Sequence, residues 1–311
     1  MKKIAIVTTY HGKFPNNIYF WFKSIEKNPT IDFFLFTDLE VKVSFPNLKV
    51  VKRSFNELIQ MAQDNFDFKI SVPRAYKYPD FRPAFGEIFA EFLKEYDFWG
   101  FSEQDLVYGD IRHFFTDELL EKYDKLLGNG HLTLYRNNPE VNASYKLVDN
   151  PTYKFVYTHG RNFYFEEYWG TSRYWDKNRS NRFYQGKPFD DVNYYRAEFY
   201  PDHGVAKDEK NIIYSFENGK VFRYSEKDGM VKKTECLYVH FQKRLMQLNT
   251  EVADYFTMIP DAYIPFIENV TLETLRKYGY SRCKYTKRYF QILKKEKITS
   301  FWRHFYPKHL D

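Results

Sequence analysis

Three acids close together carry the first sign of chemistry. In the stretch YDFWGFSEQDLVYGD, Tyr96 to Asp110, an aromatic run leads straight into Glu103, Asp105 and Asp110. Charge beside a buried strand is costly unless something offsets it, and a bound cation is a common offset. Glu103 and Asp105 stand at i and i+2. On an extended backbone both side chains point the same way, so both reach one ion if the strand ends there. Hard oxygen donors suit magnesium or manganese, and a diphosphate would complete the shell. The same spacing also describes an ordinary solvated turn. Gly100 and Gly109 allow close approach of backbone or ligand, although Gly109 equally suits a turn.

Upstream, YKYPDFRPAFGEIF supplies Asp80, Arg82 and Gly86. Arg82 could bridge an acid and a phosphate or sugar hydroxyl. Alternatively, Asp80 caps a helix and Arg82 decorates its surface. Downstream, LYVHFQKR closes an apolar run with His240, then Lys243 and Arg244. A neutral imidazole there is a candidate further metal ligand, and the two cations could neutralise a leaving diphosphate. A strand histidine is also a common packed core residue. FEEYWG and PFDDVNYY place Glu166, Glu167, Asp190 and Asp191 beside aromatics. Any of the four could deprotonate an incoming hydroxyl, or they could be exposed acidic turns; the residues leave both open.

The elements that must position these groups are legible from periodicity. IAIVTTY (Ile4–Tyr10), DFFLFTD (Asp32–Asp38), LKVVKRS (Leu48–Ser54) and DFWGF (97–101) read as strands. Between them lie three expected helices: one around Ile18, Trp21, Phe22 and Ile25, one over Phe55–Phe66, and one over Arg82–Tyr96 with Pro83 in its first turn. Alternation of this kind predicts an α/β fold with a mostly parallel sheet and flanking helices. Ligands of such sheets bind beyond the carboxyl ends of the strands, which puts Thr8 to Tyr10, Thr37-Asp38 and Glu103 to Asp110 on one cleft. His131–Asn137 and Cys236–Arg244 read as later strands, and the Tyr-, Asn- and Gly-rich stretch between them has no clear period. Residues 1–245 are expected to form the main unit, with 1–137 as its regular α/β half. Residues 138–245 would supply irregular insertions and a closing strand. A helical extension, basic from 276, is expected over 246–311.

Composition narrows the classes. The chain has 311 residues, a formal net charge of +6 and 21% aromatics, with 32 Phe, 28 Tyr and 5 Trp. That charge is mild for a dedicated nucleic-acid binder, so no nucleic-acid partner is expected. Two cysteines, Cys236 and Cys283, exclude a disulfide scaffold and a structural zinc site. No apolar run approaches the ~20 residues of a membrane span, and the N-terminus lacks a signal-peptide core. A cytoplasmic protein is expected. The sequence also lacks G-x-S-x-G, G-x-x-x-x-G-K-[ST] and G-x-G-x-x-G.

The succession IAIVTTY, FFLFTD, Asp-x-Arg, FWGFSEQDLVYGD and VHFQKR resembles GT-A glycosyltransferases. The likeness is to bacterial polysaccharide-biosynthesis transferases with a W-G-x-x-D-x-D motif and a late H-F-Q-K-R strand. It spans residues 1–137 and returns at 236–244, which implies a catalytic unit over 1–245 with 1–137 as its nucleotide-sugar half and 138–245 as its acceptor side and closing strand. The resemblance implies a Rossmann-like nucleotide-binding fold and transfer from a nucleotide-diphosphate sugar, UDP- or GDP-linked. The expected acceptor is a glycan or lipid-linked saccharide, with help from Mn2+ or Mg2+. Carried over, Glu103, Asp105 and His240 take the metal positions, with Gln104 between the two acids. Thr8, Tyr10 and Asp38 take the nucleoside side, and Asp80, Arg82 and Gly86 the donor side. Lys243 and Arg244 would face the leaving diphosphate. Glu103 departs from the family's aspartate, which keeps open a non-catalytic nucleotide-sugar or glycan-binding protein of the same fold. A metal-dependent phosphodiesterase ranks last, since the Asp/His clusters of a two-metal site are missing.

The stretch Arg276–Leu310 interleaves Lys and Arg with Tyr, Phe and Trp. It reads either as a helix packed on the catalytic unit or as a peripheral contact with an anionic membrane surface, on the inner face of the cell membrane.

Overall fold

The computed structural model describes residues 1–280 except 168, 195 and 203–205, together with Lys294. The strands of its first half are β1 (Ile4–Thr9), β2 (Ile31–Thr37), β3 (Leu48–Lys52), β4 (Phe98–Ser102), β5 (Leu106–Tyr108), β6 (Lys125–Leu126), β7 (Leu132–Arg136) and β8 (Phe183–Tyr184). Seven of these form one sheet in the order β3-β2-β1-β4-β7-β6-β8. β1 to β4 are mutually parallel, β7 runs antiparallel to both its neighbours, and β6 pairs β8 in parallel. The expected mixed, mostly parallel α/β sheet is therefore present.

Each central strand is apolar on both faces because each face is covered. Ala5 and Val7 of β1 join one cluster with Phe34 and Phe36; Ile4 and Ile6 join another with Phe33 and Leu35. Such continuous apolar runs mark a sheet clad on both sides. Helix α1 (Ile18–Glu26) covers the second face with Ile18, Trp21, Phe22 and Ile25, while α2 (Phe55–Gln63) and the segment around Phe85, Ile88 and Phe89 cover the first. Ser54 and Glu57 form a reciprocal capping box that starts α2.

Eight further strands follow: β9 (Asp190–Asp191), β10 (Lys210–Glu217), β11 (Lys220–Lys227), β12 (Met230–Cys236), β13 (Tyr238–His240), β14 (Gln247–Leu248), β15 (Tyr255–Ile259) and β16 (Ala262–Pro265). Six of them make a second, mainly antiparallel sheet, β12-β11-β10-β15-β16-β14. Two of its tight hairpins turn at Asn218-Gly219 and Asp228-Gly229, all four residues with φ between 49° and 96°. That backbone fits the right-handed twist of the flanking strands and favours Asn, Asp and Gly. Phe20 of α1 points away from the first sheet and stacks on Tyr263 of the second, ring centroids 3.9 Å apart. One helix thus joins the two sheets. A third, small sheet, β5-β13-β9, sits at their junction.

Three expectations need correction. Residues 247–265 are not helical: they form β14 to β16, and the helix Leu272–Tyr278 follows them. These strands are two to five residues long, too short for a period to stand out. The expected helix over Arg82–Tyr96 is instead a 3-10 helix, Ala75–Ala84, then two short α-helical pieces, Phe85–Ile88 and Ala90–Leu93. Pro79 and Pro83 both lie inside the 3-10 segment, where each removes a backbone N–H. The stretch after 137 is regular from 210 onward. The basic tail beyond 280, Lys294 apart, lies outside the described residues. Arg276 is described, and it pairs with Glu226 at 3.0 Å. Among the described residues no helix is long and apolar enough to cross a membrane.

Candidate metal and donor site

The site is assembled where β4 ends. Beyond Ser102 the backbone N–H of Glu103 donates to the His131 carbonyl at 3.0 Å, which seats the start of β7 beside the acids. The chain turns at Glu103-Gln104-Asp105 and re-enters a strand as β5. β13 pairs antiparallel with β5, Leu106 facing His240, and the Phe241 N–H donates to the Asp105 carbonyl at 3.1 Å. Sheet pairing therefore brings a residue 135 positions distant onto the acidic turn. His240 Nε2 lies 3.3 Å from Glu103 Oε2 and 3.3 Å from Asp105 Oδ1. The convergence expected of Glu103, Asp105 and His240 is present in the fold.

The hydrogen bonds around this point define what it lacks. His240 Nδ1 is 2.9 Å from Asp191 Oδ1, which also accepts from Gln242 at 2.6 Å. An ionised carboxylate only accepts, so the proton of a neutral His240 belongs on Nδ1. Nε2 then presents a lone pair to two carboxylate oxygens. His240 Nε2 and Asp105 Oδ1 are buried and have no hydrogen-bond partner. Three acceptors aimed at one point require a proton or a metal cation between them. Burial opposes charge on His240, but Asp105, Asp191 and Glu103 outweigh it and hold its pKa well above the ordinary value. Burial likewise opposes charge on Glu103, yet Arg82 and His240 bring its pKa well below the usual carboxylate range. Two carboxylates and one imidazole within 4.8 Å of one another fit a divalent cation such as manganese.

Around the cluster the other predicted residues sort by contact. Thr8 is buried and donates to the Ser102 carbonyl at 3.2 Å, joining the carboxyl ends of β1 and β4. Tyr10 stacks on Phe14, centroids 5.3 Å apart, and burial and the Asp105 charge both raise its pKa. Asp38 is exposed just past β2, and Gln104 is half-buried between the two acids. Arg82 is no surface ornament: it donates to Glu103 Oε1 at 3.0 Å and to the Gly130 carbonyl at 2.9 Å, and lies 3.5 Å from Glu166.

The remaining predicted residues make contacts within the fold. Asp80 is buried against Lys77 Nζ at 2.7 Å and accepts the backbone N–H groups of Phe163 and Phe165. It anchors the segment that carries Glu166 and Glu167. Gly86 serves packing, since a Cβ there would come within 2.6 Å of the Trp99 ring. Arg244 is drawn into the fold by the carbonyls of Asn193, Ala197, Glu198 and Pro260, so it fastens two loops. Lys243 is exposed, 5.4 Å above the Tyr194 ring. Asp110 caps the short helix Ile111–Phe114 through the His113 N–H.

The four candidate bases separate. Strand β9 alternates, so Asp190 and Asp191 face opposite ways. Asp190 is buried in the second sheet against Arg223 at 2.6 Å and Tyr214 at 2.9 Å, while Asp191 joins His240. Glu166 is buried and its pKa is raised well above the usual range by burial, against the pull of Arg82. Glu167 is half-buried against Gly130 and is pushed up to about 7 by burial, then by Glu103 and Asp191.

His131 was missed by sequence reading. Its ring stacks on His240, centroids 4.4 Å apart, and its Nδ1 lies 2.8 Å from the Tyr238 hydroxyl. Placing the HLTLYRN strand beside DFWGF would have shown it, because antiparallel pairing sets its first residue against the end of β4.

Residues 6–267 match the family described as "Family of unknown function (DUF6625)", and the chain belongs to that family. A comparison with curated proteins finds no match. Solved structures with similar parts include the glycosyltransferase GlyE from Streptococcus pneumoniae TIGR4, at 14% identity over 60% of this chain and 45% of that one, TM-score 0.32. Its apo form aligns at 16% identity over 45% and 35%, TM-score 0.25. Mouse xyloside xylosyltransferase 1, apo form, aligns at 9% identity over 66% and 91%, TM-score 0.35. The chain thus spans less than half the length of the GlyE chains.

Proposed function

We propose that this member of the DUF6625 family is a glycosyltransferase. It moves a sugar from a nucleotide-diphosphate donor to a glycan or lipid-linked saccharide, with a divalent cation at Glu103, Asp105 and His240. The observation that carries the reading is the meeting of His240 Nε2, Glu103 Oε2 and Asp105 Oδ1 at the carboxyl edge of a parallel sheet. That edge is where open α/β sheets bind ligands. A bound Mn2+ or Mg2+ would supply positive charge against the departing diphosphate.

This chain's own residues do the rest. Arg82 holds one oxygen of Glu103 and leaves the other facing His240. Thr8, Tyr10 and Asp38 line the nucleoside side, and exposed Lys243 adds charge on the phosphate side. Glu167, raised to about 7, takes the acceptor hydroxyl's proton, since a base working near neutral pH needs a pKa in that range. A UDP- or GDP-linked hexose, an acceptor in cell-surface polysaccharide or capsule assembly, and peripheral docking through 276–311 at the inner membrane face complete the proposal.

One feature favours a second reading. Arg82 already compensates Glu103 at 3.0 Å, which suits a pocket that binds a nucleotide sugar without turning it over. Incubating the protein with a panel of UDP- and GDP-sugars, with Mn2+ and with chelator, decides between them. Metal-dependent release of nucleoside diphosphate is the expected result. Tight donor binding without release selects the second reading, and neither binding nor release overturns both.

A further inference from the structure

Asp191 ends up neither as an exposed turn residue nor as an acceptor base. Strand β9 runs parallel to β13 with Asp191 opposite His240, and Asp191 Oδ1 receives both His240 Nδ1 at 2.9 Å and Gln242 Nε2 at 2.6 Å. Its other oxygen lies 3.7 Å from His131 Nε2. Tyr238 precedes His240 by two residues on β13, so both side chains share a face. The Tyr238 hydroxyl meets His131 Nδ1 at 2.8 Å, and the His131 ring covers His240 at 4.4 Å. Tyr238 is itself stacked on Phe189, centroids 4.8 Å apart and 7° from parallel. His240 is thus held on one ring edge by Asp191 and on one ring face by His131.

His131, Asp191 and His240 also lie close enough to hold an ion of their own. A second ion beside the first would need both nitrogens of the His240 imidazole, because Nε2 faces Glu103 and Asp105 while Nδ1 is the nitrogen turned to Asp191.

We infer that Asp191, supported by His131, is a positioning residue that fixes His240 as the Nδ1–H tautomer and so keeps Nε2 aimed at the point shared with Glu103 and Asp105. The inference rests on the cation site proposed above. Partners of this kind typically change metal affinity by about 10–100-fold when removed.

The test is Mn2+ titration of the full chain by electron paramagnetic resonance and calorimetry, with thermal unfolding measured alongside. Asp191→Ala should bind Mn2+ about 10–100-fold more weakly than wild type. Asp191→Asn, which keeps an acceptor oxygen for His240 Nδ1, should fall between the two. Long-range 1H–15N spectra of the Mg2+-loaded protein should show His240 with its proton on Nδ1 in wild type and a mixture in Asp191→Ala. Equal Mn2+ affinity for Asp191→Ala and wild type, while Asp105→Asn loses the ion, overturns the inference and leaves the site standing. A wild type that takes up no Mn2+ overturns the site itself. If Asp191→Ala does not fold, the Asn variant decides: weaker binding at an unchanged melting temperature supports the inference, and unchanged binding overturns it.

Discussion

Two buried charge clusters, separated by a single peptide bond at Asp190-Asp191, behave in opposite ways. In the second sheet Asp190 binds Arg223, Arg223 also binds Glu209 at 2.9 Å, and Glu209 accepts from Ser225 at 2.7 Å and Lys232 at 2.6 Å. Positive and negative groups alternate, and each named group has a partner. At the edge of the first sheet Glu103, Asp105 and His240 bring like-natured acceptors together, and two of their buried atoms are unpartnered. A satisfied network holds strands in register, whereas a frustrated one marks a place where something else binds. Acidity and burial alone do not separate them. Partnering does.

The sharpest way to break this contrast is Asp105→Asn. It should remove Mn2+ binding and donor turnover, beyond the roughly 100-fold that outer partners cost, with little change in melting temperature because the side chain is half-buried. A variant that keeps wild-type turnover would place the chemistry elsewhere. Asp190→Ala should do the reverse, lowering stability by about 3–5 kcal/mol because Arg223 is left buried without compensation. Urea unfolding measures the loss, and Mn2+ affinity of the folded fraction should stay near wild type. If the ion is lost instead, the two clusters are one functional unit.

Arg82→Ala tests the border between them. Burial already raises the Glu166 pKa well above the usual range against the pull of Arg82, while Glu103 loses the donor that orients it. The expected outcome is a drop in kcat or a rise in donor KM by about 10–100-fold without unfolding, read from steady-state kinetics. Unchanged donor kinetics would make Arg82 a packing residue.

The smallest effect concerns a third buried charge that has no counter-ion among its described contacts. Lys125 is enclosed by the Phe183 and Tyr135 rings and donates to Ser172 at 2.8 Å. Burial lowers its pKa well below the ordinary 10.5. In the unfolded chain it keeps that ordinary value, so between its depressed value and 10.5 the unfolded state binds more protons and stability rises with pH. Lys125→Met should raise the melting temperature at neutral pH, by about 2–4 °C per kcal/mol recovered, and narrow its advantage as pH approaches 10. Parallel melts from pH 7 to 10 check both. A variant less stable than wild type at pH 7 would show that the amine's contacts outweigh its burial.

Local pattern determined much of this protein. Apolar runs at Ile4, Asp32 and Phe98, separated by helical periods, are enough for a parallel sheet, because a strand covered on both faces must be apolar throughout. The i, i+2 spacing of Glu103 and Asp105 at the end of such a run announced a convergent acidic edge, and the LYVHFQKR strand offered His240 as its distant partner. Tertiary structure decided what periodicity cannot encode. Which side of a two-residue strand faces which sheet split Asp190 from Asp191, and cross-strand pairing brought in His131 without any motif of its own. Where a helix was expected to begin, a 3-10 segment runs over Ala75–Ala84 instead, and only the folded chain sets its Asp80 against Lys77 and its Arg82 against Glu103. Strands of two to five residues at 247–265 are too short to be read until β10 is there to pair with. Electrostatics came last: only burial beside Glu103 and Asp191 sets Glu167 near neutrality, since desolvation and nearby charge depend on neighbours that the linear chain keeps far apart.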